Sequence, residues 1–206
     1  MADKTTAMNE VPDTPKMRPT TQAAEGVPRL RWTLEEFERL GELGIFTEDD
    51  HIELIGGELV PMSPKGNRHE AVRGAILNWL RRHLPPEFDL HAEPGWRAAG
   101  REYFEPDFLI GPARCSPTSV APSDVALIIE VAHSSLRFDT NTKARRYAAI
   151  GVREYWVVNA QTLDARIHRD PAPEGYRGAA EVMPAEPLTA QFVPGLSLRL
   201  SDLSIA

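Results

Sequence analysis

The chain has very little cysteine and no long hydrophobic run. Among its 206 residues only Cys115 is a cysteine, which excludes an intrachain disulfide framework and a cysteine-rich zinc site. No apolar stretch approaches the roughly 18–20 residues that a bilayer span needs. The first residues also lack the apolar region of a signal peptide. We therefore expect a cytoplasmic protein that has no membrane partner.

The chain also has no excess of basic residues. Thirty acidic and 23 basic residues give a formal net charge of −7, which argues against a protein that coats nucleic acid without specificity. Such a charge still permits a local basic patch beside an acidic metal site. The sequence contains no phosphate-binding P-loop, dinucleotide fingerprint, nucleophile elbow or HExxH motif, so the enzyme classes that depend on them are disfavoured.

The polar N-terminal segment differs from the rest of the chain. Residues 1–28 include four prolines and show no apolar period, and their charges cancel when Arg29 is counted with them. Such a segment cannot bury enough apolar area to offset the entropy of ordering, so we predict a disordered leader over residues 1–28. The remaining residues, 29–206, have the length and composition of a single globular domain.

Hydrophobic periodicity and turn residues predict interleaved helices and strands. A capping box of Thr33 and Glu36 begins one helix, and Gly56-Gly57 forms the turn of a hairpin over residues 51–61. Further helices are predicted over residues 69–84 and 139–150, the second with Asp139 as its N-cap and Gly151 as its stop. Strands are predicted over residues 88–92, 104–110, 125–131, 154–159 and 163–168, with a last edge strand within residues 191–203. The fold class is therefore α/β or α+β, with a central mixed sheet flanked by helices.

Two acids stand where strands are expected to be buried. Glu130 closes the apolar run VALIIE, and a carboxylate in a buried strand is costly unless it is paired or binds a metal. Asp107 follows Pro106, which cannot donate to a β-ladder, so the strand is expected to break beside this acid. Two acids at neighbouring strand ends suit Mg²⁺ or Mn²⁺. The alternative is that each acid simply contacts solvent at a strand end.

The scarcity of lysine draws attention to two residues. The chain has 19 arginines but four lysines, and the predicted domain retains only Lys65 and Lys143. A lysine kept in so arginine-rich a chain points to a need for a compact ammonium group. Lys143 lies about one turn into the helix that follows the Glu130 strand, so its side chain can extend back toward the acids. Codon usage is the alternative explanation.

Other polar residues are weaker candidates. His69 begins the long helix and can face the same site, as a proton carrier or a phosphate contact, or lie in solvent. Glu53 and Glu58 alternate along the hairpin; a solvated face is preferred for both, and Glu58 is the better functional candidate. Arg145 and Arg146 either contact phosphates or form a solvated helix face.

The order of these motifs resembles a known family. The segments ELIGGELVPMSP…H, EPDF and IIEVAHSS…D…K…Y…GVREYWVVN, within residues 31–159, are similar to the Uma-type endonucleases, a restriction-endonuclease-like branch of the PD-(D/E)XK superfamily. The resemblance implies an αβββαβ core in which Asp107 is the PD acid and Glu130 the acid of the E-x-K strand. The superfamily lysine is replaced by Ala132, and Lys143 matches the lysine of the following helix. His133 stands where family members often have an acid.

The resemblance implies a metal-dependent endonuclease that hydrolyses phosphodiester bonds of nucleic acid, most readily DNA. Asp107 and Glu130 are then the ligands of Mg²⁺ or Mn²⁺, Lys143 orients water or neutralises developing charge, and His69 assists at the rim. A homodimer is a reasonable expectation, because duplex cutting needs two sites or two visits. One alternative is an inactive nuclease-like module that binds nucleic acid or a protein. Another is a hydrolase of a small phosphorylated molecule.

Overall fold

The computed structural model describes residues 30–205, so the leader predicted over residues 1–28 lies outside the described residues. The helices are Leu34–Glu42 (α1), Asn67–His83 (α2), Leu136–Phe138 (α3) and Ala144–Ala149 (α4), and a π-helical turn, Asp139–Lys143, joins the last two. The strands are Ile52–Ile55 (β1), Glu58–Pro61 (β2), Phe88–Ala92 (β3), Trp96–Ala99 (β4), Glu102–Phe104 (β5), Phe108–Pro112 (β6), Leu127–Ala132 (β7), Glu154–Asn159 (β8), Ala165–Ala172 (β9), Gly175–Val182 (β10), Leu188–Thr189 (β11) and Ser197–Leu198 (β12).

A six-stranded sheet forms the centre of the molecule, in the order β10-β9-β8-β7-β6-β3. The pair β7–β8 is parallel and the other neighbours are antiparallel. Helix α2 packs on one face through Val72, Ile76 and Leu80, and α4 packs on the other through Ala144 and Tyr147. The predicted mixed α+β architecture, with helices flanking a central sheet, is therefore confirmed.

A second sheet of four strands, β2-β1-β5-β4, contains the predicted hairpin. Gly56 and Gly57 form its turn with φ of 62° and 83°, the left-handed conformation that a two-residue hairpin turn requires. The predicted break at Pro106 is also present, because β5 ends at Phe104 and β6 begins at Phe108. This break moves the chain from the small sheet to the large one.

The predicted signals for the start of α1 and the end of α4 are both confirmed. The Thr33 backbone N–H donates to Glu36 Oε2 at 2.8 Å and the Glu36 N–H donates to Thr33 Oγ1 at 3.2 Å, which completes the capping box. At the end of α4, Gly151 has φ of 92°, and the Val152 N–H donates to the Tyr147 carbonyl at 3.0 Å. This Schellman arrangement satisfies carbonyls that the helix leaves open.

Two of the predicted elements differ from the structure. Asp139 is not an N-cap, because the helical segment already begins at Leu136 and Asp139 starts the π turn. A strand, β12, does lie within residues 191–203, but it pairs with β11 in a separate two-stranded sheet and not at the edge of the central sheet. Strand β10 was not predicted, since its half-exposed sequence GYRGAAEV has no clear apolar alternation and its stability comes from pairing with β9.

Two glycines offer a matched test of the hairpin turn. A Cβ at Gly57 would lie 2.9 Å from the Trp32 carbonyl oxygen in a backbone with φ of +83°, whereas a Cβ at Gly74, inside α2, meets nothing within 4 Å. We expect Gly57→Ala to lower the free energy of unfolding by about 1–2 kcal/mol. Gly74→Ala should raise it by about 0.5–1 kcal/mol. Urea denaturation of both variants measures the contrast, and equal effects would contradict the described turn.

Candidate active site

The pairing of β6 with β7 brings the two predicted acids together. Phe108 pairs with Ile129 in antiparallel register, so the residues one step beyond, Asp107 and Glu130, lie opposite each other. The Asp107 N–H donates to Glu130 Oε2 at 3.3 Å, and the Val131 N–H donates to Asp107 Oδ2 at 2.8 Å. Both acids are buried, with 3% and 5% of their surface exposed. The solvent-facing alternative therefore does not apply to them.

Lys143 contacts Glu130 of this pair from the helical side. Its Nζ donates to Glu130 Oε1 at 2.9 Å and lies 3.0 Å from Glu53 Oε1. The Tyr147 hydroxyl, one helical turn later, donates to Glu130 Oε1 at 3.3 Å. Glu53 comes from β1 and also accepts the Glu105 N–H at 3.0 Å, so the small sheet contributes an acid to the site formed by the large one.

His69 and Lys65 contact Asp107 from a third direction. His69 lies in the first turn of α2, and its Nε2 is 3.3 Å from Asp107 Oδ2. Lys65 Nζ, in the segment before α2, is 3.4 Å from Asp107 Oδ1 and also forms an ion pair with Glu93. The structure thus brings together all four predicted site residues. It also adds Lys65, a residue that stands out in the sequence only as one of two rare lysines.

The site holds more buried acid than cation. Burial raises the pKa of Glu130 to about 8, against the charge of Lys143 and with the help of Asp107. Burial likewise raises the pKa of Asp139 to about 6. Burial alone would lower the pKa of Lys143, but the acids around it hold that pKa well above its usual value. Several carboxylates therefore share the single ammonium of Lys143, and the site attracts a further positive charge.

Asp107 differs from its neighbouring acid. Burial works against its ionisation, but the hydrogen bond and charge of His69, followed by the charge of Lys65, hold its pKa below the usual value. Burial of the His69 ring favours a lower pKa for that residue, but the hydrogen bond and charge of Asp107 raise it. Two adjacent carboxylates with pKa values moved in opposite directions are typical of a functional centre.

Comparison with known proteins identifies the family of the chain and a related fold. The family model Uma2, described as "putative restriction endonuclease", matches residues 34–201. The chain belongs to the Uma2 family. Among curated proteins, none matches it. A solved structure described as a "putative nuclease belonging to DUF820", from Anabaena variabilis, is similar in fold: 17% sequence identity, a TM-score of 0.58, and coverage of 82% of this chain and 96% of that one.

The Uma2 site lines a cavity of about 300 Å³ between the hairpin, α2 and the π turn. Its acids offer hard oxygen donors, but within residues 30–205 no group of three His, Cys, Asp or Glu side chains is arranged to hold an ion by itself. Mg²⁺ usually takes one or two carboxylates and keeps several waters. Asp107 and Glu130 therefore fit such an ion, provided that Lys143 shares Glu130 with it.

Several secondary predictions for this Uma2 chain need correction. Glu53, rather than the preferred Glu58, lies in the site, because inward positions of β1 face the cavity. Arg146 forms an ion pair with Glu102 and is not directed at a phosphate. His133 is exposed at the cavity edge, where the Gln161 side-chain amide contacts its Nε2 at 2.8 Å.

The residues that sequence reasoning missed are Glu53, Lys65 and Asp139. Asp139 is buried at the cavity wall, where the sequence predicted a helix cap. Its spacing from Lys143, four residues along the same helical segment, was the signal that could have placed both on one face.

The described helices also differ from membrane spans. Among residues 30–205, no helix has both the length and the apolar composition of a bilayer span.

Proposed function

We propose that this Uma2 protein is a metal-dependent endonuclease that hydrolyses phosphodiester bonds of nucleic acid, with DNA as its substrate. The observation that carries the proposal is the pair of buried carboxylates, Asp107 and Glu130. The Asp107 N–H donates to Glu130 Oε2 at 3.3 Å, and Glu130 also accepts a hydrogen bond from Lys143. Family membership supports the same reaction class. Fold similarity alone would not, because one fold hosts many functions.

The proposed roles follow from the contacts. Asp107 and Glu130 would hold Mg²⁺ or Mn²⁺, which when bound polarises a phosphate and lowers the pKa of a bound water. The Lys143 ammonium is fixed by Glu130 and Glu53, so it needs no reorganisation to orient a water or to neutralise charge that develops on the phosphate. His69 holds Asp107 in place at the cavity rim and carries a proton there.

A second candidate function is binding without cleavage. Two observations favour it: Lys143 already forms ion pairs with Glu130 and Glu53 inside the protein, and Ala132 occupies the position of the superfamily lysine. Hydrolysis of a small phosphorylated molecule would suit a closed pocket. This reaction is disfavoured because the cavity is not closed: Ser134 and Phe138 line both the cavity and a larger groove beside it.

The deciding experiment is a cleavage assay with the full chain. Supercoiled plasmid, single-stranded DNA and single-stranded RNA are each incubated with Mg²⁺, with Mn²⁺ or with EDTA. We expect cleavage of DNA in either metal and none in EDTA. Absence of cleavage from every combination, together with retained nucleic-acid binding, would replace the nuclease with the binding module. Isothermal calorimetry with each metal, on the wild type and on the Asp107→Ala plus Glu130→Ala variant, tests the metal ligands separately.

A further inference from the structure

A second and larger cavity lies beside the candidate active site. This groove, of about 790 Å³, runs between the helical segment of residues 136–149 and strands β9 and β10. Ser134 and Phe138 line both cavities, so the groove continues directly from the site. Its lining includes the side chains of Arg137, Asn141, Arg145, Arg166, His168 and Tyr176.

The π turn places two arginines of the helical segment over the groove. In a regular α-helix, residues eight apart differ by about 80° around the axis. The π turn, in which the Ala144 N–H donates to the Asp139 carbonyl, inserts one residue and reduces this angle to about 20°. Arg137 and Arg145 therefore share a face with Asn141, roughly 12 Å apart along the axis. Lys143 lies on the buried side of the same segment.

The arginines of the groove lack acidic partners. Arg137, Arg145 and Arg166 are exposed, and within residues 30–205 none of them forms an ion pair. Arg145 Nε donates to the Asn141 carbonyl at 3.3 Å. Glu174 lines the groove and Glu181 lies opposite Arg166 in the pairing of β9 with β10, but neither acid forms an ion pair with another described residue. Three arginines against two acids leave the groove with an excess of positive charge within a chain of net charge −7.

A buried histidine supplies an independent sign of a ligand. His168 is only 6% exposed, lines the groove, and has no hydrogen-bond partner for its Nε2 among the described residues. Its ring packs against those of Tyr155 and Tyr176, with centroid separations of 5.6 and 5.5 Å. A buried polar atom without a partner costs about 1–3 kcal/mol. Burial and the charge of Arg166 lower the pKa of His168 to about 4, so the ring is neutral at pH 7.

We propose that this groove binds the phosphate backbone of a nucleic-acid strand next to the segment in the active-site cavity. Arg137, Arg145 and Arg166 contact phosphates of the strand, and the Nε2 of His168 gains its missing partner from a phosphate or base. The proposal rests on the proposed function for the identity of the ligand. It does not rest on cleavage, because a protein that only binds nucleic acid would use the same groove.

The test is the binding of fluorescently labelled single-stranded and duplex DNA to the full chain, measured by anisotropy in EDTA over a series of salt concentrations. The groove variant is Arg137→Ala plus Arg166→Ala. The matched control is Arg81→Ala plus Arg82→Ala, which removes the same charge from the last turn of α2, on the opposite face of the sheet. We expect about a tenfold weaker affinity at low salt for the groove variant. The slope of log K against log salt should fall by about 0.7–0.9 for each phosphate that the variant no longer neutralises.

The outcomes separate this proposal from the nuclease proposal. If the groove and control variants lose the same affinity, the groove proposal is overturned and the nuclease proposal stands. If binding depends on the groove but the protein does not cleave, the groove proposal is supported and the nuclease proposal is overturned. Absence of any DNA binding by the wild type in EDTA would overturn the groove proposal, and the cleavage assay would then decide the nuclease proposal by itself. The His168→Phe variant keeps the aromatic packing, so we expect it to bind several-fold more weakly without losing stability to urea; unchanged binding would overturn the assignment of His168.

Discussion

Replacing Asp107 with asparagine is expected to abolish metal-dependent cleavage, with a loss of about a thousandfold or more, and to leave the fold intact. Asparagine has the same shape and can still accept the Val131 N–H through its side-chain oxygen. It lacks the charge that binds a divalent ion and attracts His69 and Lys65. The measurements are cleavage rate, metal affinity by calorimetry, and unfolding in urea.

The matched control is Glu58→Gln. Glu58 lies on the same hairpin as Glu53 but does not line the cavity, and it is the acid that sequence reasoning preferred. We expect the control to cleave at the wild-type rate and Glu130→Gln to fail in the same way as Asp107→Asn. Cleavage by Asp107→Asn at a rate close to the wild type would remove Asp107 from the mechanism and with it the proposed metal site.

The centre of the site could be predicted from the sequence, because its signals are local. A charged residue in an apolar strand is costly unless it has a partner, which identified Glu130. Pro106 marked the strand break that exposes Asp107 to a neighbouring strand. Lys143 was found by its rarity and by its place about one turn into the helix that follows the strand. Each inference needed only a few neighbouring residues.

Glu53 and Lys65 could not be predicted in the same way, because their roles depend on packing between distant elements. Glu53 meets Lys143 only after the small sheet docks on the helical segment, across 90 residues of chain. The hairpin pattern distinguishes its two faces, but it does not say which face meets the site. The π turn was missed because a one-residue insertion in a helix leaves almost no mark on a short apolar period. That insertion also sets the face that carries Arg137 and Arg145.

The second large effect is expected at Lys143. Replacing it with methionine removes the ammonium between Glu130 and Glu53 and leaves these buried carboxylates without a positively charged partner. We expect a loss of about 3–5 kcal/mol in the free energy of unfolding at neutral pH, together with loss of cleavage. Lys65→Met is the matched control. Its ammonium is partly exposed, so its removal should cost no more than about 1 kcal/mol.

The destabilisation of Lys143→Met should depend on pH. Burial already raises the pKa of Glu130 to about 8 and that of Asp139 to about 6 with the ammonium present, and its removal raises both further. The folded variant then keeps protons that the folded wild type releases near pH 6 at Asp139 and near pH 8 at Glu130, so its stability falls further as pH rises. We expect the difference from the wild type in urea unfolding to grow above pH 6 and to grow further above pH 8. If the difference in unfolding free energy between the variant and the wild type did not change with pH, the destabilisation would come from packing alone.

Added Mg²⁺ separates electrostatics from packing in the same variant. A divalent ion bound by Asp107 and Glu130 supplies the positive charge that Lys143→Met lacks, and a ligand that binds only the folded state stabilises it by mass action. The free energy of unfolding of Lys143→Met should therefore rise more with Mg²⁺ than that of the wild type, in which Lys143 and the ion compete for Glu130. Equal rises would show that the ion does not share the carboxylate that Lys143 holds. If Mg²⁺ restores the stability of Lys143→Met but not its cleavage, Lys143 has a role in the reaction itself. In that case the ion has replaced the missing positive charge, but the ammonium group is still absent.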